Sequence, residues 1–244
     1  MSLIVQKYGG SSLATLECIQ EVARKVSQRK KEGSDLVVVV SAMGNTTNDL
    51  LKLANGISDR PPARELDMLL SAGERISMAL LAMALYHIDV PSISFTGSQS
   101  GIVTDTSHTQ AKILEIRADR IQEHIRLGKV VIVAGFQGVS TQKEVTTLGR
   151  GGSDVTAVAL AVALGAQRCE FYKDVDGIYT QDPKYDKNAQ KIERCDYDRV
   201  LALANSGAKV LHSEAIHLAQ KHSMPLYIAS SFTEHPGTLV EQRN

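Results

Sequence analysis

Four consecutive valines at residues 37–40 constrain the fold of this chain more than any other segment. An uninterrupted β-branched run is typical of a strand that is buried on both faces, as in parallel sheets covered by helices on both sides. Further apolar runs predict strands at residues 3–7, 92–95, 101–104, 113–116, 130–134, 168–172 and 226–229. Helical spacing of apolar residues predicts a first helix ending near residue 31, then helices at about 46–54, 63–86, 119–127, 153–164, 197–205 and 213–222. A hairpin is predicted from residues 139–141 and 145–147.

Strands that alternate with helices in this way predict an α/β sandwich around a mostly parallel sheet. The sequence has no internal repeat, low-complexity tract or linker. Its 244 residues are enough for a large core, and one domain covering residues 1–244 is the simplest prediction.

Charge and composition exclude several classes of function. The 27 basic and 27 acidic side chains balance, which argues against broad electrostatic binding of nucleic acid or anionic membranes. No stretch approaches the ~18 uninterrupted apolar residues of a membrane span. Three cysteines, at positions 18, 169 and 195, lack metal-site spacing and favour a reduced, cytoplasmic protein. The histidines at 212, 217 and 222 are five residues apart, about 140° per step on a helix, so they cannot form a metal site on one face.

Residues 147–154 read Thr-Leu-Gly-Arg-Gly-Gly-Ser-Asp and precede an alanine-rich helix. A glycine loop that opens onto a helix N-terminus presents free N–H groups and a positive dipole end to an anion. Arg150 suits a carboxylate or a phosphate. Asp154 can cap the helix, orient a lysine or hold a metal. The alternative is an ordinary helix start with a glycine loop.

Two other glycine turns follow predicted strands, at residues 7–12 and 41–48. Ligands gather beyond the carboxyl ends of strands in open α/β sheets, so we expect these turns to be neighbours. The sequence lacks both the P-loop signature and a Gly-x-Gly-x-x-Gly after the first strand, which disfavours P-loop NTPases and dinucleotide-dependent dehydrogenases. The three turns together favour an enzyme that handles phosphate.

Acidic residues in two other segments complete the candidate site. Glu74 lies within a long apolar helix, where it suits the ammonium group of a ligand or forms an intrahelical ion pair. Asp174, Asp176 and Asp182 follow a predicted strand and serve either Mg²⁺ or ribose, or act as turn formers.

Six blocks of this sequence resemble aspartokinases, members of the amino-acid kinase superfamily, in order and spacing. They are residues 7–12, 41–48, 73–75, 147–154, 172–183 and 208–212, and the resemblance extends from about residue 4 to about residue 240. It implies a three-layer α/β/α sandwich with an amino-acid-binding lobe at about 1–150 and an ATP-binding lobe at about 151–244. The implied reaction transfers the γ-phosphoryl group of MgATP to the side-chain carboxylate of L-aspartate. Its product, 4-phospho-L-aspartate, enters lysine, threonine and methionine synthesis.

The same resemblance implies the roles of individual residues. Lys7 and Asp154 would be catalytic, with the amides of Gly9 and Gly10 around the phosphoryl group. Aspartate would be held by Thr47, Glu74, Arg150 and Ser153. ATP would contact Lys7, Tyr8, Gly9, Gly10, Ser41, Lys173, Asp174, Tyr179, Lys184, Lys209 and Val210. Mg²⁺ would arrive with ATP, no protein ligand to a metal is assigned, and a homodimer is compatible with the family.

The sequence departs from the aspartokinase pattern at several places. Lys173 stands where the family usually has threonine, Lys184 where it has arginine, and Ser213 where it has proline. The chain ends at Asn244, about where the family's regulatory ACT-type domains would begin, so we expect this polypeptide alone to lack a feedback site for lysine or threonine.

Two alternatives stay open. One is an amino-acid kinase for another acidic substrate, such as glutamate, acetylglutamate or carbamate. The other is a non-catalytic subunit that binds nucleotide or amino acid.

Overall fold

The computed structural model describes residues 2–181, 186, 188–205 and 211–242. In these residues an eight-stranded sheet forms the centre of the molecule, in the order β12-β14-β13-β9-β1-β2-β6-β3. Its strands are β1 (Leu3–Tyr8), β2 (Asp35–Val40), β3 (Ser92–Phe95), β6 (Val130–Ala134), β9 (Arg168–Lys173), β12 (Arg194–Cys195), β13 (Leu226–Ser230) and β14 (Thr238–Val240). All neighbouring pairs are parallel except β13 and β14.

Helices cover both faces of this sheet. They are α1 (Leu16–Lys31), α2 (Thr46–Ile57), α3 (Ala63–His87), α4 (Asp119–Arg126), α5 (Gly152–Ala163), α6 (Tyr197–Asn205) and α7 (Ser213–Lys221). A short 3₁₀ helix, Ser11–Leu13, connects β1 to α1.

The valine run in β2 explains the three layers. Side chains alternate between the faces of a strand. Val37 and Val39 therefore pack into a core with α5 and α7, while Val38 and Val40 pack into a second core with α1 and α3. All four valines are fully buried. The predicted fold class, a three-layer α/β/α sandwich with a mostly parallel sheet, is confirmed.

Smaller sheets lie beside the central one. Four strands, β4 (Ile102–Thr104), β5 (Ile113–Ile116), β7 (Gln137–Ser140) and β8 (Val145–Thr147), form a separate sheet in the order β5-β4-β7-β8. A two-stranded sheet is formed by β10 (Ile178–Tyr179) and β11 (Lys191–Ile192). The sequence predicts the four strands of the first sheet but not their separation from the central sheet, and it does not predict β10, β11, β12 or β14.

Helix α3 has the length and composition of a membrane-crossing helix, although charged residues interrupt its apolar sequence. Half of its most apolar window is buried inside the fold, and the helix packs against β3 and β6. It also carries two buried carboxylates, Asp67 and Glu74. These features are those of a core helix.

Candidate active site

A cavity of about 320 Å³ opens at the carboxyl ends of the central strands. It brings together eight of the residues predicted for the site: Lys7, Gly10, Ser41, Thr47, Glu74, Arg150, Ser153 and Asp154. These residues come from β1 and the turn after it, the loop after β2, α2, α3, and the loop before α5 with the first turn of that helix. The parallel register of β1 and β2 places the ends of these two strands side by side.

An ion pair between Lys7 and Asp154 lies at this cavity. Lys7 Nζ is 2.8 Å from Asp154 Oδ1, and the two side chains are only 10% and 13% exposed. Lys7 faces α5 because it lies two residues after Val5, which packs in the same core as α5. Burial alone raises the pKa of Asp154, but the charges of Lys7 and Lys173, with hydrogen bonds from Lys7 and the His212 N–H, hold it below its ordinary value. Asp154 is therefore ionised at neutral pH.

Lys173 adds a second ammonium group beside this pair. It is the last residue of β9, which pairs with β1 in the sheet. Burial lowers the pKa of Lys173, and the charge of Asp154 opposes that effect. Asp174 also interacts with Lys173, so the ammonium groups of Lys7 and Lys173 lie among carboxylates at a place where they can attract a phosphate.

The glycine turn after β1 approaches the loop after β2 very closely. A Cβ atom on Gly10 would lie 2.9 Å from the carbonyl oxygen of Ala42, so no other residue fits without movement. The N–H of Gly44 donates to the Gly10 carbonyl at 3.0 Å and fixes the two loops together. Within the described residues the Gly10 N–H has no acceptor, whereas the Gly9 N–H makes a long bond of 3.4 Å to the carbonyl of Tyr172. Of the two amides, Gly10 is the one open to a ligand.

The loop before α5 is shaped by Gly151 and by a residue that the sequence analysis missed. Gly151 has a φ of +79°, and a Cβ there would lie 2.2 Å from Cγ of His212. The His212 backbone N–H also donates to Asp154 Oδ2 at 3.4 Å. His212 therefore supports the glycine loop and the carboxylate that pairs with Lys7. The sequence feature that indicates His212 is its place at the end of the motif at residues 208–212.

Glu74 is a buried carboxylate with one oxygen unsatisfied. The residue is 3% exposed. Its Oε1 accepts from the Ala42 N–H at 3.1 Å, while Oε2 is buried and has no hydrogen-bond partner in the described part of the chain. Burial raises the pKa of Glu74 to about 7, against hydrogen bonds from backbone N–H groups, including that of Ala42, and the charge of Lys7. A buried acceptor of this kind is costly unless a ligand supplies the donor.

Groups that can bind the rest of a small acid surround Glu74. Arg150 is exposed at the tip of the glycine loop and makes no hydrogen bond or ion pair with any described residue. Thr47, in the first turn of α2, and Ser153, in the first turn of α5, add hydroxyl groups to the cavity wall. Apart from Ser41 and the Lys7–Asp154 pair, the cavity therefore offers one carboxylate, one guanidinium and two hydroxyls to a ligand.

The side chain of Tyr8, which is predicted to contact ATP, lies outside the cavity. Its ring is fully buried and stacks on Tyr172 on the opposite face of the sheet, with 4.9 Å between the ring centroids. Because side chains alternate along β1, Lys7 and Tyr8 cannot both face the cavity. The Tyr8 side chain therefore does not line it.

The other residues predicted to contact ATP lie away from the cavity or outside the described chain. Asp174 is exposed beyond β9, and the Tyr179 hydroxyl donates to Asp176 Oδ1 at 2.8 Å. Lys184, Lys209 and Val210, together with Asp182, lie outside the described residues. The described residues contain no group of three His, Cys, Asp or Glu side chains that could hold a metal.

The remaining lining residues, which the prediction did not include, are Ala42, Gly44, Phe136, Gly149, Gly151 and Gly152. Five of them belong to the glycine-containing loops already identified. Phe136 follows β6 with a φ of +67°, and nothing in the local sequence indicates its position.

Comparison with known proteins agrees with this architecture. The model of the amino acid kinase family matches residues 2–230. The aspartokinase of Mycobacterium tuberculosis is 53% identical over 241 residues, which cover 98% of this chain and 57% of that protein. The crystal structure of aspartate kinase from Synechocystis has a TM-score of 0.90 and 48% identity, covering 99% of this chain and 40% of that one.

A third relative is E. coli aspartokinase III, whose crystal structure is a complex with aspartate and ADP. Its TM-score is 0.89 at 27% identity, covering 99% of this chain and 65% of that one. The chain thus spans little more than half the length of the mycobacterial relative. Because the family model covers nearly all of the sequence, this chain belongs to the amino acid kinase family.

Proposed function

We propose that this protein is an aspartate kinase, which transfers the γ-phosphoryl group of ATP to the side-chain carboxylate of L-aspartate. The product is 4-phospho-L-aspartate, a precursor for lysine, threonine and methionine. The observation that carries the proposal is the cavity itself, which holds the Lys7–Asp154 pair together with a Glu74 oxygen and an Arg150 guanidinium that have no partner among the described residues. Aspartokinases with 53% and 48% sequence identity to this chain support this proposal.

Recognition of the acceptor follows from the charges in the cavity. L-aspartate carries one ammonium group and two carboxylates. Glu74 Oε2 would accept from the ammonium, and Arg150 would grip a carboxylate through two parallel hydrogen bonds. Thr47 and Ser153 would hold the remaining oxygens. An N-acylated acid would give Glu74 no cation, which favours a free amino acid over acetylglutamate.

Recognition of the donor would come from the C-terminal lobe, about 151–244, while the lobe at about 1–150 holds the amino acid. Ser41, Lys173, Asp174 and Tyr179 would contact ATP, with Lys184, Lys209 and Val210 completing the site. Lys173 is a charged residue near Asp154, so it would contact phosphate oxygens. ADP bound in the E. coli relative supports a nucleotide site in this fold.

The protein's contribution to phosphoryl transfer is alignment and charge stabilisation. An oxygen of the aspartate side chain forms the new bond to the γ-phosphorus as the bond to ADP breaks. That carboxylate is already ionised, so no general base is required. Lys7 would lie between the two reactants and stabilise the charge on the moving phosphoryl group, with the Gly10 N–H beside it. Asp154 would orient Lys7 by the observed ion pair.

Magnesium fits this scheme as part of the nucleotide. Mg²⁺ is usually held by one or two carboxylates together with substrate phosphates and water. The exposed Asp174 carboxylate beyond β9 suits that arrangement. When bound, Mg²⁺ would neutralise phosphate charge, and the steps above rest on the side chains of the protein.

Trapping the product with hydroxylamine tests the proposed function. We expect an acyl hydroxamate to form only when aspartate and ATP are both present. Parallel reactions with glutamate and N-acetylglutamate should give much less product. No hydroxamate above background would favour a non-catalytic binding subunit, and preference for N-acetylglutamate would overturn the choice of substrate.

The raised pKa of Glu74 predicts a pH dependence for aspartate. A carboxyl group with a pKa of about 7 is neutral at lower pH and ionised above it, and only the ionised form pairs with an ammonium. We therefore expect kcat/KM for aspartate to rise with pH through about 7. Above pH 7, Glu74→Gln should lower kcat/KM for aspartate by about 10- to 100-fold, as loss of a charged hydrogen bond does.

The same profiles contain their own control. Glu74→Gln should abolish the step near pH 7 in kcat/KM for aspartate and leave the profile for ATP unchanged. A step that persists in the variant would assign the titration to another group.

A further inference from the structure

A second carboxylate on α3, Asp67, is completely buried and lies outside the cavity. It is seven residues before Glu74, about two helical turns, so both project from the same side of α3. Neither the sequence motifs nor the proposed reaction gives it a role. A fully buried carboxylate requires strong partners, and those partners identify what it does.

Three donors from two segments converge on Asp67. Its Oδ1 accepts from the Thr109 N–H at 3.0 Å and from the Thr147 hydroxyl at 2.5 Å. Its Oδ2 accepts from His108 Nδ1 at 2.6 Å and lies 3.2 Å from the Thr109 nitrogen. Three hydrogen bonds to one buried carboxyl group therefore tie both segments to α3.

Both segments support the loop that carries Arg150. Thr147 is three residues before Arg150, and its carbonyl accepts from the Ala111 N–H at 2.9 Å. The carbonyl oxygen of Thr109 packs against Gly149, where a Cβ would come within 3.2 Å of it. Gly149 itself has a φ of +75° and directly precedes Arg150.

The backbone conformation of Thr109 shows that the hydrogen bonds to Asp67 impose this turn. Its φ is +67°, a left-handed conformation that is unfavourable for a β-branched residue. The hydrogen bonds from its N–H to Asp67 hold the backbone in that state. The turn therefore depends on the carboxylate and would relax without it.

We propose that Asp67, acting with His108, is a positioning residue for Arg150. The pair fixes residues 108–109 and 147 against α3 and so holds the 149–151 loop where Arg150 can grip the acceptor carboxylate. Neither side chain lines the cavity, so both act through the loop. This inference rests on the proposed function, because it concerns binding of the acceptor acid.

Steady-state kinetics of Asp67 variants test the proposal. We expect Asp67→Ala to raise KM for aspartate by about 10-fold or more, since small misplacements of a binding group can cost up to about 10²-fold. KM for ATP should stay within about twofold, because the loop holds only the acceptor. Asp67→Asn should restore most of the affinity, since its carbonyl can still accept from Thr109.

Ser77→Ala is the matched control on the same helix. Ser77 is also fully buried, but among the described residues its hydroxyl bonds only to the carbonyl of Gly73 within α3. This variant should leave both KM values unchanged. Equal rises for aspartate and ATP in Asp67→Ala, or a loss confined to kcat, would show a merely structural role and overturn the proposal.

His108 gives a second test if Asp67→Ala does not fold. Its side chain is 22% exposed, so replacement is milder. His108→Ala should raise KM for aspartate by about threefold or more, as loss of one charge-assisted hydrogen bond to the cluster would. His108→Asn, which keeps an N–H donor, should reverse most of this change. An unchanged KM in His108→Ala would overturn the proposal.

Failure of the proposed function is distinguishable from failure of this inference. If the wild-type protein forms no aspartyl hydroxamate, calorimetric titration with L-aspartate replaces KM. Weaker aspartate binding in His108→Ala than in wild type would then support the positioning role, and equal binding would exclude it.

Discussion

Replacement of Lys7 by alanine is expected to lower kcat by about 10²-fold or more, as removal of one transition-state charge contact typically does. Lys7 is paired with Asp154 at 2.8 Å and lies at the cavity where donor and acceptor would meet. The Lys7 ammonium stabilises the transition state most, because charge moves between the two reactants there. KM for aspartate should therefore change much less than kcat, and steady-state kinetics with hydroxamate detection measures both.

The control for this variant is Lys52→Ala. Lys52 is also a lysine with an acidic partner, Asp49 at 3.0 Å, but its side chain is 77% exposed on α2. Its removal should leave kcat unchanged, since exposed ion pairs contribute little. Near-normal turnover in Lys7→Ala would remove the mechanism proposed above.

The general architecture was predictable because its signals are local. The valines of β2 indicate a strand buried on both faces, and the structure confirms one. The long apolar helix was predicted at residues 63–86 and is observed at Ala63–His87. Strands and helices of this kind are specified by periodicity within a few residues, which is visible in a single sequence.

Strand alternation alone places the side chains of Lys7 and Tyr8 on opposite faces of the sheet. Tyr8 was grouped with Lys7 because the two are adjacent in a motif. Adjacent residues in a strand face opposite sides of the sheet, so only one of them could reach the cavity. The side chain of Tyr8 stacks on Tyr172 instead.

Long-range partners were not predictable from local patterns. Asp67 contacts residues that are 41 to 80 positions away in the chain. No periodicity or motif in its own helix indicates these contacts. His212 is similar, because its position against Gly151 depends on how α7 packs beside α5.

Removal of Asp154 is expected to have two effects, one on catalysis and one on stability. Asp154→Ala should lower kcat by about 10²-fold or more, because Lys7 would lose the carboxylate that orients it. The same change removes a negative charge that interacts with two ammonium groups, those of Lys7 and Lys173. Loss of one partner of a mostly buried pair lowers the free energy of unfolding by about 3 kcal/mol.

Loss of Lys7 and loss of Asp154 are expected to lower stability by different amounts. In Lys7→Ala, Asp154 keeps Lys173 nearby and the His212 N–H as a donor, so its charge stays compensated. Asp154→Ala should therefore unfold at lower denaturant concentration than Lys7→Ala, although both lose kcat to a similar extent. The double variant Lys7→Ala/Asp154→Ala should recover part of the lost stability, since it also removes one of the two ammonium groups that interact with Asp154. Chemical denaturation of the three variants beside wild type measures this order. If Lys7→Ala were the less stable of the two single variants, the assignment of Asp154 as the counter-charge for both lysines would be wrong.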